Sequence, residues 1–323
     1  MPNALRCGIV GPGRSRNGLG PFLARFAAAS GLTVVAGAGR DATRSRAACE
    51  DLARRLGHAV EAYEDVEAML AQARLDALIV AAPPAAHRRA LELALAQRCA
   101  VLCEKPLVAD EDRAAVDGLL DAFLAHGVPL VENCQWPHTL DTFDALWPGV
   151  RGGAGAFAMG LSPGDTGLGM VVDSLSHFVS LAQAIVPLDG RSTVRVHAAP
   201  RIAPGDTQAS LDVEFAGSET TLCGRFELRV VSRQPRPAWF AIAGRRVDRR
   251  IALPEYRFAF ETPDGRRETL ADPMQRLVYG FAALVRSKDL DLIRAESERI
   301  RHRARFYHAI LDACRGAARR SDP

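Results

Sequence analysis

Along the first 132 positions, short continuous apolar runs alternate with longer stretches in which the apolar residues recur at helical spacing. The runs are Leu5–Val10, Leu32–Ala38, residues 75–82, Val101-Leu102-Cys103 and residues 129–132. Runs of this length bounded by turn residues predict strands buried on both faces. Between them, helices are predicted over residues 21–29, 43–56, 66–73, 87–96 and 111–125. Strictly alternating strands and helices make an α/β fold with a doubly wound parallel sheet.

The pattern changes at Asn133. Trp136, Trp147, several prolines and the glycine-rich residues 149–155 mark a crossing into a second domain. A helix entered through glycines is predicted over residues 167–177. Beyond Arg191 come strands at residues 194–197, 209–215, 220–231, 239–243, 246–253 and 256–261, then helices at residues 273–287 and 294–313. Consecutive strands without intervening helices imply a largely antiparallel sheet. The expected organisation is therefore a doubly wound α/β domain at 1–132 and an α+β domain at 133–323.

Composition narrows the function. The chain has 323 residues, 48% hydrophobic and 24% charged, as in an ordinary globular protein. A net charge of +3 without a long Lys/Arg block argues against a nucleic-acid partner. No run approaches the length of a membrane span, and the N-terminus enters a strand directly, so a cytoplasmic protein with no membrane partner is expected. Seven scattered cysteines without a Cys-x-x-Cys pair predict reduced thiols and no metal site.

Lysine occurs only at Lys105 and Lys288, in a chain with 41 basic residues. Lys105 follows a buried strand in Cys103-Glu104-Lys105-Pro106-Leu107, at the strand mouth where α/β enzymes keep their chemistry. A partly buried lysine can exchange a proton and act as a point donor, whereas arginine is too basic for the first and too broad for the second. Gly11-Pro12-Gly13, directly after the first strand, is a phosphate-turn signal with Arg14 beside it, although the third glycine is not at its usual spacing. At the second strand's end, Arg40 and Arg44 favour the 2′-phosphate of NADP over NAD, while Asp41 leaves the NAD ribose contact open. Ala82 and Pro83 end the strand at 75–82 in a turn suited to passing under a nicotinamide ribose. His87 reads as a helix-start or packing residue. Asp173 and His177 lie four apart on one helical face, where the carboxylate can tune an imidazole able to exchange protons near neutrality; a helix-start charge with a half-buried histidine gives the same spacing.

Taken together, Gly8-Ile9-Val10-Gly11-Pro12-Gly13, Ala81-Ala82-Pro83-Pro84 with His87, Cys103-Glu104-Lys105-Pro106-Leu107 and Asp173-x-x-x-His177 resemble the glucose-fructose oxidoreductase / inositol dehydrogenase (Gfo/Idh/MocA) family. The resemblance implies an N-terminal Rossmann domain, a C-terminal open-faced sheet that makes a homodimer or homotetramer contact, and a site in the cleft between the domains. It implies a cis Lys105-Pro106 bond, Lys105 near nicotinamide and substrate, Glu104 and His87 among the cofactor-side residues, and Asp173 and His177 completing the catalytic group. Hydride transfer between NADP, or NAD, and a carbinol or carbonyl carbon of a small molecule such as a sugar or cyclitol is expected. Where many sugar-oxidising members carry an Asn-Arg-Arg-Phe-like run, this chain has Asn133-Cys134-Gln135-Trp136, so Trp136 is taken as a substrate-side residue. That departure keeps open reduction of a C=N bond; a catalytically silent NADPH-binding sensor is a separate reading, against which Lys105, Asp173 and His177 count.

Overall fold

The computed structural model describes residues 4–13, 19–108, 113–253 and 256–319. The chain divides into two compact units, residues 1–133 with 274–301 and residues 134–273 with 302–323.

In the first unit, β1 (Leu5–Val10), α1 (Gly20–Ala29), β2 (Leu32–Ala38), α2 (Ala42–Leu56), β3 (Glu61–Tyr63), α3 (Val66–Gln72), β4 (Ala77–Val80), α4 (His87–Ala96), β5 (Ala100–Cys103), α5 (Arg113–Ala125) and β6 (Leu130–Glu132) follow one another. The strands form one parallel sheet in the order β3-β2-β1-β4-β5-β6. Progression along the sheet reverses between β1 and β4, and the crevice beyond the strand ends at such a reversal is where open α/β sheets take ligands. Every residue of β4 and β5 is buried, which is why both read as unbroken apolar runs.

The second unit contains α6 (Leu140–Leu146), β7 (Ala156–Leu161), α7 (Leu168–Ile185), β8 (Thr193–Ala198), β9 (Gln208–Ala216), β10 (Thr221–Arg229), β11 (Ala238–Ile242), β12 (Arg245–Ala252), β13 (Arg257–Glu261) and β14 (Arg267–Leu270). The strand order is β14-β13-β12-β11-β7-β10-β9-β8. Only the β7–β10 pair is parallel, so the sheet is largely antiparallel. α7 covers one face. Its Phe178 stacks on Phe157 of β7 and Phe226 of β10 at centroid distances of 4.7 and 4.6 Å. The other face is polar, with cross-strand pairs such as Arg225–Asp212 and Arg250–Glu261.

Two helices complete the chain, α8 (Pro273–Ser287) and α9 (Leu290–Arg319). Met274, Leu277, Val278, Phe281, Ala282 and Val285 of α8 share a core with Cys7, Ile9, Leu23 and Val34 of the parallel-sheet unit. Arg301 of α9 binds Asp117 and Asp121 of α5 at 3.1 and 2.6 Å. The expected division at 132/133 therefore needs correction. The Rossmann-like unit is discontinuous, because the apolar stripe of α8 is buried against it.

Candidate functional site

The carboxyl ends of β1, β2, β4, β5 and β6 carry most of the residues singled out in the sequence. Gly11 leaves β1 with φ of +79°, a left-handed conformation glycine adopts without a Cβ penalty. A Cβ there would lie 2.6 Å from the Ala81 carbonyl oxygen beyond β4, so the turn and the strand end could not approach so closely. The role of the missing third glycine, close helix–strand packing, falls to Gly20. A Cβ on Gly20, the first residue of α1, would collide with the Gly11 carbonyl and lie 2.8 Å from the Pro12 carbonyl carbon. At Gly13 a Cβ would meet only the Ala48 side chain, at 3.6 Å. Arg14 lies outside the described residues.

At the end of β2, Asp41 is the N-cap of α2 and accepts the Arg44 N–H at 2.8 Å. Arg40 and Arg44 are exposed. Gly39 stands directly after the strand, with the buried Ser45 hydroxyl beneath it, so no acidic side chain occupies that position.

The Glu104–Leu107 turn after β5 is held by three side chains. The Asn133 amide donates to the Glu104 carboxylate. Glu132, buried at the end of β6, accepts the Leu107 N–H at 3.1 Å. His87, at the start of α4, has Nδ1 3.0 Å from the Pro106 oxygen and 3.2 Å from the Leu107 oxygen, and Nε2 2.9 Å from the Ala82 oxygen. The Lys105-Pro106 bond is cis. Glu104 and Lys105 are partly buried at the strand mouth, as are Ala82 and the cap of α4, while Pro83 is exposed.

His87 itself is completely buried, so its expected place among the cofactor-contacting residues is corrected. The ring spans the turn carrying Lys105 and the end of β4, and no part of it faces outward. Burial is the largest influence on its pKa and lowers it, against the raising effect of the three carbonyls and of Glu132.

In the second unit, Asp173 and His177 lie on α7, both partly buried on one face. Asp173 Oδ2 accepts the Gly164 N–H at 3.2 Å, which ties the carboxylate to the loop entering the helix. Trp136 is corrected as well. It is 3% exposed, sits in the core with Phe143 and Phe240, and meets the Phe240 ring edge-on at 6.1 Å. Its indole is a packing group beneath Arg249 rather than a wall of an open space.

A family model described as oxidoreductase family, NAD-binding Rossmann fold (GFO_IDH_MocA) matches residues 5–133. That segment, residues 5–133 of the 323, is similar to the family's NAD-binding Rossmann fold, and a pyridine dinucleotide, NAD(P), is the group such a fold holds. The glycine cradle fits such a group, and so does the buried Asn133 Oδ1, which has no hydrogen-bond partner among the described residues. No curated protein matches the sequence. Similar solved structures include KijD10, a 3-ketoreductase from Actinomadura kijaniata in complex with NADP and TDP-benzene, at 20% identity, 98% coverage of both chains and a TM-score of 0.69. UDP-N-acetylglucosamine 3-dehydrogenase GnnA from Acidithiobacillus ferrooxidans is 17% identical over 96% of this chain and 98% of that one, with a TM-score of 0.64. An oxidoreductase from Agrobacterium radiobacter in complex with NAD+, L-tartaric acid and magnesium is 14% identical over 99% and 98%, with a TM-score of 0.62. At these identities the likeness is one of fold.

Glu132, Asn133 and Gly20 were not singled out in the sequence. The visible signal was there for the first two, since Glu132-Asn133 are polar residues ending an otherwise apolar strand. For Gly20 it was the Gly18-Leu19-Gly20-Pro21 run before the helix.

Proposed function

We propose that the protein is an NADP(H)-preferring dehydrogenase or reductase that moves a hydride between the nicotinamide and a carbinol or carbonyl carbon of a small polar metabolite, a sugar or cyclitol. The observation that carries this reading is the triply held Lys105 turn at the carboxyl edge of a parallel sheet. A turn fixed in this way keeps its lysine preorganised, and preorganised charge is the largest contribution to most enzymatic rates. One similar fold belongs to a UDP-N-acetylglucosamine 3-dehydrogenase, which makes a sugar the first class to try.

When bound, the nicotinamide takes or gives the hydride. On oxidation, His177 takes the proton of the substrate hydroxyl, and on reduction it returns that proton to the carbonyl oxygen. Lys105 supplies the positive charge that stabilises the substrate oxygen as charge develops on it. Asp173, anchored by the Gly164 N–H, orients and tunes His177. NADP preference is supported by Arg40 and Arg44 at the end of β2, by Gly39 in place of an acid, and by engagement of Asp41 as a helix cap.

Lys105→Ala and His177→Ala are each expected to lower turnover by about 10²- to 10⁴-fold with NADPH affinity nearly unchanged. Following NADPH fluorescence against a panel of sugars, cyclitols and their keto forms supplies the substrate, and a titration with NADPH supplies the affinity. Wild-type turnover by either variant would overturn the assigned roles, and tighter binding of NADH than NADPH would overturn the cofactor preference.

A further inference from the structure

At one end of the second unit's sheet, three strand ends coincide, since Leu161 of β7 pairs with both Leu228 of β10 and Ala238 of β11. The loop from β7 to α7 and the loop from β10 to β11 therefore leave the sheet side by side. They are tied by the Val231 N–H donating to Ser162 Oγ at 3.0 Å. Gly164, in the first loop, donates its N–H to Asp173 Oδ2 at 3.2 Å. Against the same glycine lies the guanidinium of Arg236 from the second loop. A Cβ on Gly164 would be 3.1 Å from its Nη1 and 3.3 Å from its Nη2. The glycine is what lets an arginine come this close to the loop that anchors Asp173.

Arg236 is partly buried and lies two residues before the start of β11. Behind it stands Arg249 of β12, on the same inner face as the buried Val247. Arg249 Nη2 donates to the Arg236 carbonyl oxygen at 2.8 Å. Nε of Arg236 and Nε of Arg249 are both buried without a hydrogen-bond partner among the described residues, and the carboxylate of Asp272 acts on Arg249 through space. Asp165, the other acid of the entry loop, already accepts the Thr166 N–H at 2.8 Å and packs over Gly169. A buried Nε–H left without an acceptor is costly, and the planar guanidinium fork matches the oxygens of a phosphoryl or carboxylate group.

We propose that Arg236, backed by Arg249, binds an anionic substituent of the substrate, so that the metabolite handled at Asp173 and His177 carries phosphoryl or carboxylate oxygens. This rests on the oxidoreductase reading of the Asp173–His177 face and names the substrate class for it. With the anion held on one side of Gly164 and Asp173 anchored on the other, binding energy far from the reacting carbon would orient that carbon toward His177.

The test is calorimetric titration of the full chain, saturated with NADP+ so that the Rossmann phosphate turn is filled, with inorganic pyrophosphate and separately with malonate. One equivalent of at least one anion should bind, pyrophosphate marking a phosphoryl group and malonate a carboxylate. Arg236→Gln should weaken that binding by about tenfold or more, and Arg236→Lys, which keeps the charge without the fork, by a smaller factor. NADP+ affinity and Tm, measured on the same samples, report whether each variant folds, and should Arg236→Gln not fold, the loss in Arg236→Lys decides. Unaltered binding in the folded variants, or no binding of either anion by the wild type, overturns the proposal. Failure of NADP+ to bind would instead remove the oxidoreductase reading, and the wild-type and Arg236→Gln titrations without cofactor would still decide the anion site.

Discussion

Both ring nitrogens of His87 face carbonyl oxygens, and a neutral imidazole has a single N–H with which to satisfy them. The charged form would satisfy both, but complete burial penalises it more than the carbonyls favour it, and the pKa falls below the ordinary histidine value. The folded chain therefore holds His87 neutral while the unfolded chain protonates it near pH 6.5, so stability is fully present above about that pH and declines as the pH falls through it. Comparing urea midpoints at pH 7.5 and 5.5 for the wild type and His87→Gln checks this, with the variant expected to lose less on acidification. An equal acid loss in both would assign it to other groups. Lys105 was legible in the sequence because lysine is so rare in this chain, and its position after a buried strand followed from the apolar run. The clamp around it was not. Whether His87, Glu132 or Asn133 touches the turn depends on how β4, β5 and β6 stand side by side, and a single sequence carries the residues without that adjacency. Trp136 misled for the same reason, since an unusual aromatic beside a family motif looks functional until its burial against Phe240 is seen.

Elements with a sustained apolar pattern were found nearly to the residue, as with β2, α4 and α8. β7 was missed, although it is a central strand between β11 and β10. Its Ala156–Leu161 run follows a glycine-rich stretch and contains Gly160, which reads as a breaker. In the fold that glycine is required, because the Trp239 indole lies over the space a Cβ would fill. The onset of α1 poses the same problem. Gly20 lies just outside the helix predicted from residue 21, yet it permits α1 to start against the Gly11–Pro12 backbone. Gly20→Ala is expected to cost about 1–3 kcal/mol through overpacking against backbone that cannot yield. It should also weaken NADPH binding, since the phosphate turn must shift with the helix. Gly13→Ala, whose Cβ meets only a side chain at van der Waals distance, should leave folding stability unchanged or raise it by roughly 0.4–1 kcal/mol. Urea denaturation and NADPH fluorescence titration of the two variants separate these outcomes. Equal stabilities would mean that α1 tolerates a side chain at its first residue.

At the scale of the whole chain, the sequence showed an α/β half followed by an α+β half, and it showed α8 as a helix, but not which core α8 completes. An amphipathic helix carries an apolar stripe without saying what covers it. Here Val278, Phe281 and Ala282 are fully or almost fully buried in the cluster that includes Ile9 of β1 and Leu23 of α1, well over two hundred residues earlier in the chain. Arg286 at the end of α8 donates to the Ser30 carbonyl after α1. The cofactor-binding unit therefore cannot close its core until the chain beyond β14 has been made. Truncating Phe281 to alanine is expected to cost about 3–5 kcal/mol, the range for a large buried aromatic. The loss should fall on the parallel-sheet unit. Hydrogen exchange should show β1 and β2 losing protection and NADPH affinity should drop, while β9 and β10 keep wild-type protection. Phe178→Ala, on α7 between Phe157 and Phe226, should produce the opposite map. Protection lost equally in both sheets of either variant would mean that the two units unfold as one cooperative block, and that the discontinuous division describes packing without describing stability.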